Sequence, residues 1–518
     1  MKRKINRVVS KIALAIIIAS LSVTLPMPRL NARFSSAAQT VIRFSNAQTS
    51  LRGEAAILSL KERGLYDSLQ DAVIATRYEA HWDEQPMKGS LRPSYHALNP
   101  SQQYIEHGQL IVRDGEANDH FGSSVAIYGN TAVVGMPDDD IGANSNQGSA
   151  YIFVHGGGTS WYRVQKLTAS DGAANDHFGS SVAIYWDFAV VGAPNADIGS
   201  RFDQGSAYVF ARGGGFWREH QKLTASDGAV GDMFGASVAM HGITTVVGAP
   251  YDDVFGSAGQ GYTFNQEQGS AYVFVSYYGD WVQEHRLDAS DGAAYDHFGF
   301  SVAVHGDTFA VGAPQDNDGP NRYQGSAYVF ERAGASWIEL PKLTASDGAA
   351  YDSFGYSVAI DTSAYRDTLV VGAPFSDNGA NLNQGSAYVF ERSSAGWSEQ
   401  PKLTAGDGAT ADWFGYSVAI NKYIDTVVVG APLDNDDPNF DQGSAYIFAR
   451  SGGNWIEQQR LTASDRASGD GFGYSVAIGL LTDINQVEVM VGAPTDDIRA
   501  MNNRGSAYNF SASIIGNF

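Results

Sequence analysis

The sequence contains no cysteine. Disulfide bonds, thiolate metal sites and thiol nucleophiles are therefore excluded, and packing and hydrogen bonds must hold the fold. Charged residues are also scarce, at 17% of the chain, whereas glycine is abundant with 58 residues. This composition favours many short strands joined by turns and disfavours a helical bundle.

Positive charge is in short supply. The chain has 34 lysines and arginines against 56 aspartates and glutamates, a formal net charge of −22. Such a surface disfavours nucleic acid and anionic lipid headgroups and favours cations or basic partners. Residues 1–103 carry 14 basic and 7 acidic side chains, whereas the rest of the chain carries 20 and 49. We therefore place a domain boundary near residue 103.

Long apolar runs are absent except near the N-terminus. There the basic stretch MKRKINRVVSK precedes the apolar run IALAIIIASLSVTL. This order predicts a secretory signal peptide, residues 1–32, with cleavage after Ala32. The apolar run has 14 residues, short of the about 20 that span a bilayer, which argues against the alternative of a retained anchor. We expect a secreted or cell-envelope protein with no membrane span after cleavage.

Residues 33–103 show no repetition. Leu58, Leu65, Leu69 and Val73 are spaced as one face of a helix. The stretch that follows is polar and contains three prolines, which indicates a linker or loop. We expect a partly helical N-terminal segment and assign no chemistry to it.

Residues 104–518 repeat a pattern seven times. Phe-Gly, then Gly-Ala-Pro (Gly-Met-Pro in the first copy), then Gly-Ser-Ala-Tyr recur in that order, with a period of 56 to 64 residues. The seven Phe-Gly pairs begin at Phe121, Phe178, Phe234, Phe298, Phe354, Phe414 and Phe472. Self-similarity at a period of this size is typical of repeat architectures.

Each period predicts four strands. The segments SVAI, AVVGAP, GSAYVF and WIEQQRL are rich in the residue types that favour strands. Their apolar residues are consecutive, which indicates sheets covered on both faces. Four-stranded sheets repeated in this way predict propeller blades. Small residues in the first strand suit the crowded axis, and the aromatic residues of the later strands suit the wider periphery.

The two ends of the repeat region predict how the ring closes. The seventh copy lacks a tryptophan-containing fourth strand, whereas Tyr104–Gly115 aligns with the fourth-strand segment WIEQQRLTASDR. The N-terminal strand should complete the last blade and remove its open edge. The predicted fold is all-β: a seven-bladed β-propeller of four-stranded antiparallel blades closed by an N-terminal strand. A signal peptide and a short partly helical segment precede it.

Phe-Gly followed by Gly-Ala-Pro, seven times over residues 104–518, resembles the FG-GAP repeats of the integrin alpha-subunit head and its bacterial relatives. The resemblance implies the propeller fold and a protein ligand, although other relatives flank enzymes such as phospholipases or polysaccharide lyases. The family often carries a D-x-D-x-D-G-x-x-D calcium loop between the first two strands. Here that place holds tight turns or loops such as DTSAYRD, so the family's calcium sites do not carry over.

The loops entering the first strand and those joining the second and third strands should lie on one face, which we name the upper face. Two aspartates occur in every loop that enters the first strand, as in Asp171 and Asp176. They could ligate cations together with backbone carbonyls. They could equally hold the turn by accepting backbone N–H bonds, and their presence in all seven copies favours this second interpretation.

The loops joining the second and third strands vary from copy to copy. Asp434, Asp436, Asp437 and Asp441 form the densest acidic cluster. Calcium is the cofactor that such a cluster would take, and solvated loop carboxylates are the alternative.

The third repeat contains an insertion within residues 251–269. Its aromatic residues Phe255, Tyr262 and Phe264 are candidates for partner contact, since variable loops on a constant frame often build binding faces. The alternative is an insertion without a role.

No serine-hydrolase, zinc-protease or phosphate-loop motif occurs. The principal hypothesis is a monomeric, non-catalytic propeller of the adhesion type. It would bind a protein or carbohydrate ligand of the cell surface or matrix through its acidic upper face, with calcium as an optional aid and no role for nucleic acid. The alternatives are an extracellular hydrolase or lyase, with its site on that face or in the axial channel, and a structural envelope component that displays the N-terminal segment.

Overall fold

The computed structural model describes residues 103–513 except 259–260, 278, 335, 363–366, 422–423, 436–439, 482–484 and 500. The predicted signal peptide and residues 33–102 lie outside the described residues. Within the described part, no helix has the length and hydrophobicity needed to cross a bilayer.

Thirty strands make up the described structure. In chain order they are β1 (Ile105–Leu110), β2 (Val125–Tyr128), β3 (Thr131–Met136), β4 (Ser149–His155), β5 (Trp161–Leu167), β6 (Ser181–Tyr185), β7 (Phe188–Ala193), β8 (Ser206–Gly213), β9 (Phe216–Leu223), β10 (Ser237–His241), β11 (Thr244–Ala249), β12 (Val254–Ala258), β13 (Gly261–Asn265), β14 (Ser270–Tyr277), β15 (Asp280–Leu287), β16 (Ser301–His305), β17 (Thr308–Ala313), β18 (Ser326–Ala333), β19 (Ser336–Glu339), β20 (Ser357–Asp361), β21 (Thr368–Ala373), β22 (Ser386–Ser393), β23 (Gly396–Glu399), β24 (Ser417–Asn421), β25 (Thr426–Ala431), β26 (Ser444–Ser451), β27 (Asn454–Leu461), β28 (Ser475–Leu481), β29 (Gln486–Ala493) and β30 (Ser506–Ser513).

The strands form seven four-stranded antiparallel sheets, one for each repeat, and β12 and β13 pair as a separate hairpin. We number the blades in chain order, so that β2 to β5 form blade 1 and β6 to β9 form blade 2. The first strands of successive blades contact one another all the way round, and β2 contacts both β6 and β28. This closed circle confirms the seven-bladed propeller predicted from the repeats.

The second and third strands of each blade supply most of the core. All six residues of β7 are buried, as are the first five of β8, because neighbouring blades cover both faces of the sheet. Phe178 of the Phe-Gly pair packs edge-on against Tyr208, with ring centroids 5.5 Å apart. An edge-to-face pair of this kind stabilises by about 0.5–1.5 kcal/mol beyond its burial.

The glycines of the repeat lie where the backbones of adjacent blades touch. Gly179 adopts φ +105°, and a Cβ atom there would lie 2.3 Å from the Ser149 carbonyl oxygen of blade 1. At Gly135 of blade 1, a Cβ atom would lie 2.0 Å from the carbonyl oxygen of Gly179. Both positions must therefore be glycine, since any side chain would force the blades apart. Phe-Gly and Gly-Ala-Pro are thus the two halves of one contact between blades.

The ring closes where the sequence predicts. Strand β1 pairs antiparallel with β30, with Gln109 opposite Tyr508 and Leu110 opposite Ala507. The backbone of Tyr104 exchanges two hydrogen bonds with the side chain of Gln459 in blade 6, at 2.7 and 2.9 Å. The backbone of Trp217 makes the equivalent pair of bonds to a glutamine of blade 1. The N-terminal strand therefore occupies the fourth-strand position of blade 7 in full.

Candidate functional site at the upper mouth of the channel

The first strands surround an axial channel that opens on the upper face through a cavity of about 280 Å³. We name this opening the upper mouth. Three consecutive residues from every blade line it, beginning with the residue that follows Phe-Gly. The seven residues in that first position are Ser123, Ser180, Ala236, Phe300, Tyr356, Tyr416 and Tyr474. Blades 1 to 3 thus present small residues to the mouth, and blades 4 to 7 present aromatic rings.

The four rings form a continuous curved wall, which we name the aromatic crescent (Phe300, Tyr356, Tyr416 and Tyr474). Each ring centroid lies 4.9 Å from the next, with interplanar angles of 46 to 51°. The Tyr416 hydroxyl hydrogen-bonds to those of Tyr356 and Tyr474. These contacts between hydroxyl groups help to hold the rings in place.

Two further aromatic rings pack against the crescent. Trp413 stacks on Tyr416 with an interplanar angle of 9° and a centroid separation of 6.0 Å. Phe375 meets Trp413 and Tyr356 edge-on, at 5.3 and 5.8 Å. Neighbours that fix the ring orientations in this way preorganise an apolar surface for binding.

A polar cluster lies in blades 1 and 2, beside the residues that line the mouth and not among them. Asp138 lies between two imidazoles: His120 Nδ1 is 2.6 Å from its Oδ2, and His177 Nε2 is 3.2 Å from its Oδ1. The other ring nitrogen of His177 lies 3.1 Å from the Asn195 side-chain oxygen. We name these four residues the polar network. Its two imidazoles and its carboxylate are between a quarter and a third exposed.

The hydrogen bonds of this network favour the ionised form of its carboxylate. Burial opposes the ionisation of Asp138, but the bonds from His120 and His177 outweigh it and lower its pKa to about 2. The bond to Asp138 likewise raises the pKa of His177, although burial opposes this. Asp138 is therefore an ionised carboxylate that both imidazoles already satisfy.

The residue that precedes Phe-Gly adopts a left-handed backbone conformation. His120, His177 and Trp413 all occupy this position, and all have φ between 51 and 58°. Since Trp413 stacks on the crescent, the two histidines occupy the matching places beside Ser123 and Ser180. Both serine hydroxyls donate to the carbonyl of the preceding histidine, at 2.8 Å. The polar network therefore flanks the small-residue side of the mouth.

The repeated aspartates of the upper face have partners within the protein. Asp171 accepts hydrogen bonds from the Tyr208 hydroxyl at 2.8 Å and from Lys222 Nζ at 2.7 Å. Asp176 accepts the Ala173 N–H at 2.8 Å, and the equivalent aspartate of each other blade accepts the same N–H. Burial opposes ionisation of both, but the bonds to Lys222 and Tyr208 lower the pKa of Asp171, whereas the pKa of Asp176 is raised. Bonds of this kind fit the turn-holding interpretation.

The acidic cluster of blade 6 is only partly within the described residues. Asp434 is buried, accepts the Tyr446 hydroxyl at 2.7 Å and pairs with Arg460 at 2.9 Å. The backbone N–H of Asp441 donates to the Asn435 side chain at 2.9 Å. Asp436 and Asp437 lie outside the described residues. Among the residues that are described, no three carboxylate or imidazole groups come together as a metal site.

The insertion of the third repeat is an antiparallel hairpin, β12 and β13, and not an irregular loop. In its register Phe255 lies opposite Phe264, and Tyr262 lies opposite Ser257. The side chains of the three aromatic candidates lie outside the described part of the structure.

Large apolar residues also stand out on the rim of the upper face. At equivalent loop tips of blades 2, 5 and 6, Phe202 is 64% exposed, Leu382 57% and Phe440 70%. Apolar exposure repeated at one loop position favours a contact surface, whereas scattered exposure needs no explanation.

The upper mouth is the part of the site that sequence reasoning missed. The signal was available, since the residue after Phe-Gly changes from serine or alanine to an aromatic residue at the fourth copy. The contact between Asp138 and two histidines, 18 and 39 residues away in the chain, could not be read from spacing.

Comparison with known proteins agrees with this structure. A family model described as FG-GAP repeat matches residues 104–153, 161–210, 217–274, 281–330, 337–390, 397–448 and 455–510. The chain is 27% identical to integrin alpha-7 of Homo sapiens over 225 residues, which are 40% of this chain and 18% of that protein. It is 24% identical to integrin alpha-2 of Mus musculus over 247 residues, 44% of this chain and 20% of that protein.

The chain thus spans a fifth or less of these relatives. The family matches, in contrast, cover well over half of the chain and coincide with the seven blades. The Phe-Gly and Gly-Ala-Pro elements that define the matches are those that join one blade to the next, and the chain therefore belongs to the FG-GAP repeat family.

Proposed function

We propose that the protein is a non-catalytic binding module of the adhesion type that acts outside the cytoplasm. Its ligand is a protein or carbohydrate of a cell surface or matrix, and it binds at the upper mouth. The predicted signal peptide supports the location, and the resemblance to integrin alpha chains supports binding as the activity.

The observation that carries the proposal is the broken symmetry of the upper mouth. The packing requirements are the same in every blade. A position that only maintains the propeller should therefore hold similar residues in all seven blades. The position after Phe-Gly instead holds Ser, Ser, Ala, Phe, Tyr, Tyr and Tyr in blades 1 to 7. A preorganised apolar wall opposite convergent polar groups is the usual form of a ligand site.

The alternative of a hydrolase or lyase rests on the polar network, because a carboxylate that orients an imidazole is typical of a general base. A serine nucleophile would have to bond to that imidazole. Ser123 and Ser180 instead donate to the carbonyl oxygens of His120 and His177. Binding without turnover is therefore the better-supported function.

The test is a binding measurement with two matched variants. The purified full-length protein is screened by biolayer interferometry against purified matrix proteins and extracellular polysaccharides, and product release from the same polysaccharides is assayed. Tyr416→Ser gives blade 6 the residue of blades 1 and 2. Tyr128→Ser removes a ring at the lower end of the channel, where Tyr128 contacts Tyr185 at 4.7 Å.

We expect saturable binding that falls at least tenfold in Tyr416→Ser, remains in Tyr128→Ser and proceeds without product release. An equal loss of affinity in both variants would indicate that the ligand does not bind at the upper mouth. Product release that disappears in His120→Ala would contradict the proposal and indicate an enzyme.

Calcium enters the proposal at the loop of blade 6, where Asp434 and Asp441 stand in the most acidic stretch of the upper face. If the loop binds calcium, millimolar calcium should raise the melting temperature relative to chelator, since a ligand of the folded state stabilises it by RT ln(1 + [L]/Kd). Asp441→Asn should reduce that increase. Equal melting temperatures with calcium and with chelator would remove calcium from the proposal.

A further inference from the structure

We infer that the upper mouth binds a neutral pyranose ring of a glycan, with the apolar face of the sugar on the aromatic crescent and its hydroxyl groups toward the serine side of the mouth. The inference rests on the proposed function and narrows it to one class of ligand.

The shape of the mouth is the first argument. The crescent lines the side of blades 4 to 7, and the small residues Ser123, Ser180 and Ala236 leave the opposite side open. The cavity of about 280 Å³ lies just below the range of about 300–1,000 Å³ that holds drug-sized ligands. This volume suits one sugar ring of a glycan better than an extended peptide.

The chemistry of the two sides is the second argument. Tyr474 is 39% exposed at the edge of the crescent, so an aromatic surface is accessible from the upper face. Across the mouth, the side of blades 1 and 2 is lined by Ser123, Ser124, Ser180 and Ser181. A pyranose has C–H groups on its faces and hydroxyl groups around its edge. It can therefore cover aromatic rings and hydrogen-bond to the polar side at the same time.

The charge at the mouth is the third argument. A basic side chain would need a carboxylate to pair with, but the residues that line the mouth are uncharged, and Asp138 beside it is already bonded to His120 and His177. The nearby Asp412 is buried and accepts the Ala409 N–H. A buried ammonium or guanidinium group without a counter-ion is costly, whereas a neutral hydroxyl group can use the donors and acceptors of the serine side. These conditions favour an uncharged sugar over a basic peptide.

The experiment uses an array of neutral and anionic oligosaccharides, followed by titration calorimetry with the bound neutral oligosaccharide and with its free monosaccharide. Tyr416→Ser interrupts the crescent. Ser180→Tyr adds a ring on the open side and leaves the crescent intact, so it tests the site even if Tyr416→Ser does not fold. Tyr416→Phe retains the ring, and Tyr128→Ser removes a ring at the lower end of the channel, outside the mouth.

We expect neutral glycans to bind, with at least a tenfold loss of affinity in Tyr416→Ser and in Ser180→Tyr. Tyr416→Phe should stay within about threefold of the unmodified protein, and Tyr128→Ser should be unchanged. Competition by the free monosaccharide would show that the protein recognises a single sugar residue. Failure of the folded protein to bind any neutral glycan would overturn the inference, as would glycan binding that Ser180→Tyr leaves intact. A matrix protein whose binding is lost in Ser180→Tyr, with no glycan bound, would overturn the inference and retain the proposed function.

Discussion

Ser475 Oγ donates a 2.8 Å hydrogen bond to the carbonyl oxygen of Gly122, although the two residues are 353 positions apart in the chain. Six equivalent bonds join the other pairs of adjacent blades, all at 2.8 or 2.9 Å. Their donors are Ser124, Ser181, Ser237, Ser301, Ser357 and Ser417. The last blade is thus joined to the first by the same bond that joins all the others.

The first prediction concerns this ring of bonds. Ser475→Ala should lower the free energy of unfolding by about 1 kcal/mol, since it removes one partly buried hydrogen bond and leaves a carbonyl unsatisfied. Ser237→Ala, in the middle of the chain, should cost the same. Denaturant titration of both variants measures this. A much smaller effect of Ser475→Ala would show that the closing contact is weaker than the internal ones.

The second prediction concerns a missing charge in blade 7. Five residues after the tryptophan of the fourth strand, six blades carry a cation: Lys166, Lys222, Arg286, Lys342, Lys402 and Arg460. Lys342 Nζ lies 2.7 Å from Asp291 and 3.0 Å from Asp316. Blade 7 has Gln109 instead, whose neutral amide donates to Asp496 and to the Tyr508 hydroxyl, both at 2.9 Å.

Gln109→Lys should therefore raise the free energy of unfolding by about 1 kcal/mol, because an ammonium group bonds a buried carboxylate more strongly than an amide does. Lys342→Gln should lower it by a similar amount. Differential scanning calorimetry of both variants gives the comparison. A lower melting temperature for Gln109→Lys would mean that the cost of burying the ammonium group exceeds its gain.

The third prediction is a pH dependence that arises from the buried aspartate before Phe-Gly. Burial, together with Asp434 and Asp407, raises the pKa of Asp412 to about 7, whereas an unfolded aspartate has a pKa of about 3.9. Between these values the folded state binds more protons than the unfolded state. Stability at this site therefore falls as the pH rises from about 4 to about 7, by up to about 1.4 kcal/mol per pH unit.

Asp412→Asn should remove this dependence, because its amide oxygen can still accept the Ala409 N–H. Asp171→Asn is the matched control: its carboxylate is stabilised by Lys222 and Tyr208, so the substitution should cost stability at neutral pH. The measurement is the free energy of unfolding of each variant at pH values from 4 to 8. Parallel curves for Asp412→Asn and the unmodified protein would contradict the prediction.

The fourth prediction concerns a histidine pair at the lower end of the channel. His241 Nδ1 accepts the Gly306 N–H at 3.0 Å, and its ring lies 4.1 Å from that of His305. Burial and His305 lower the pKa of His241 to about 3, compared with about 6.5 in an unfolded chain. The unfolded state is protonated first, so stability from this group is lost as the pH falls from about 6.5 toward 3.

His241→Tyr places there the residue that blades 1 and 2 carry, Tyr128 and Tyr185, and it should reduce the loss of stability in acid. The measurement is the unfolding midpoint at pH 7 and at pH 4. The midpoint of the variant should fall less between these pH values than that of the unmodified protein. A variant with the same acid sensitivity would place the titrating group elsewhere.

Agreement between sequence and structure is closest where every repeat obeys the same constraint. Gly179 cannot carry a side chain because two blades touch there, so each copy must keep glycine, and the repeat makes that visible. The pairing of β1 with β30 followed from one missing strand at the end and one surplus strand at the start. Features of this kind can be predicted because they depend on neighbouring residues or recur in all seven repeats.

The site is different because its residues meet only when the ring closes. Phe300 and Tyr474 are 174 positions apart in the sequence, yet they belong to one wall, and neither has an unusual neighbourhood in the chain. The partners of Asp171 also depend on the fold, since Tyr208 and Lys222 reach it only when β8 and β9 join β6 and β7 in one sheet.

The sequence alone determined the class of fold, the number of blades and the strand that closes them, because backbone contacts between blades impose the same residues at each period. Only the tertiary structure decided which upper-face carboxylates are engaged and which aromatic rings form one wall. Burial and charge pairing depend on distances across the ring, and those distances are fixed only when the seven sheets surround one axis.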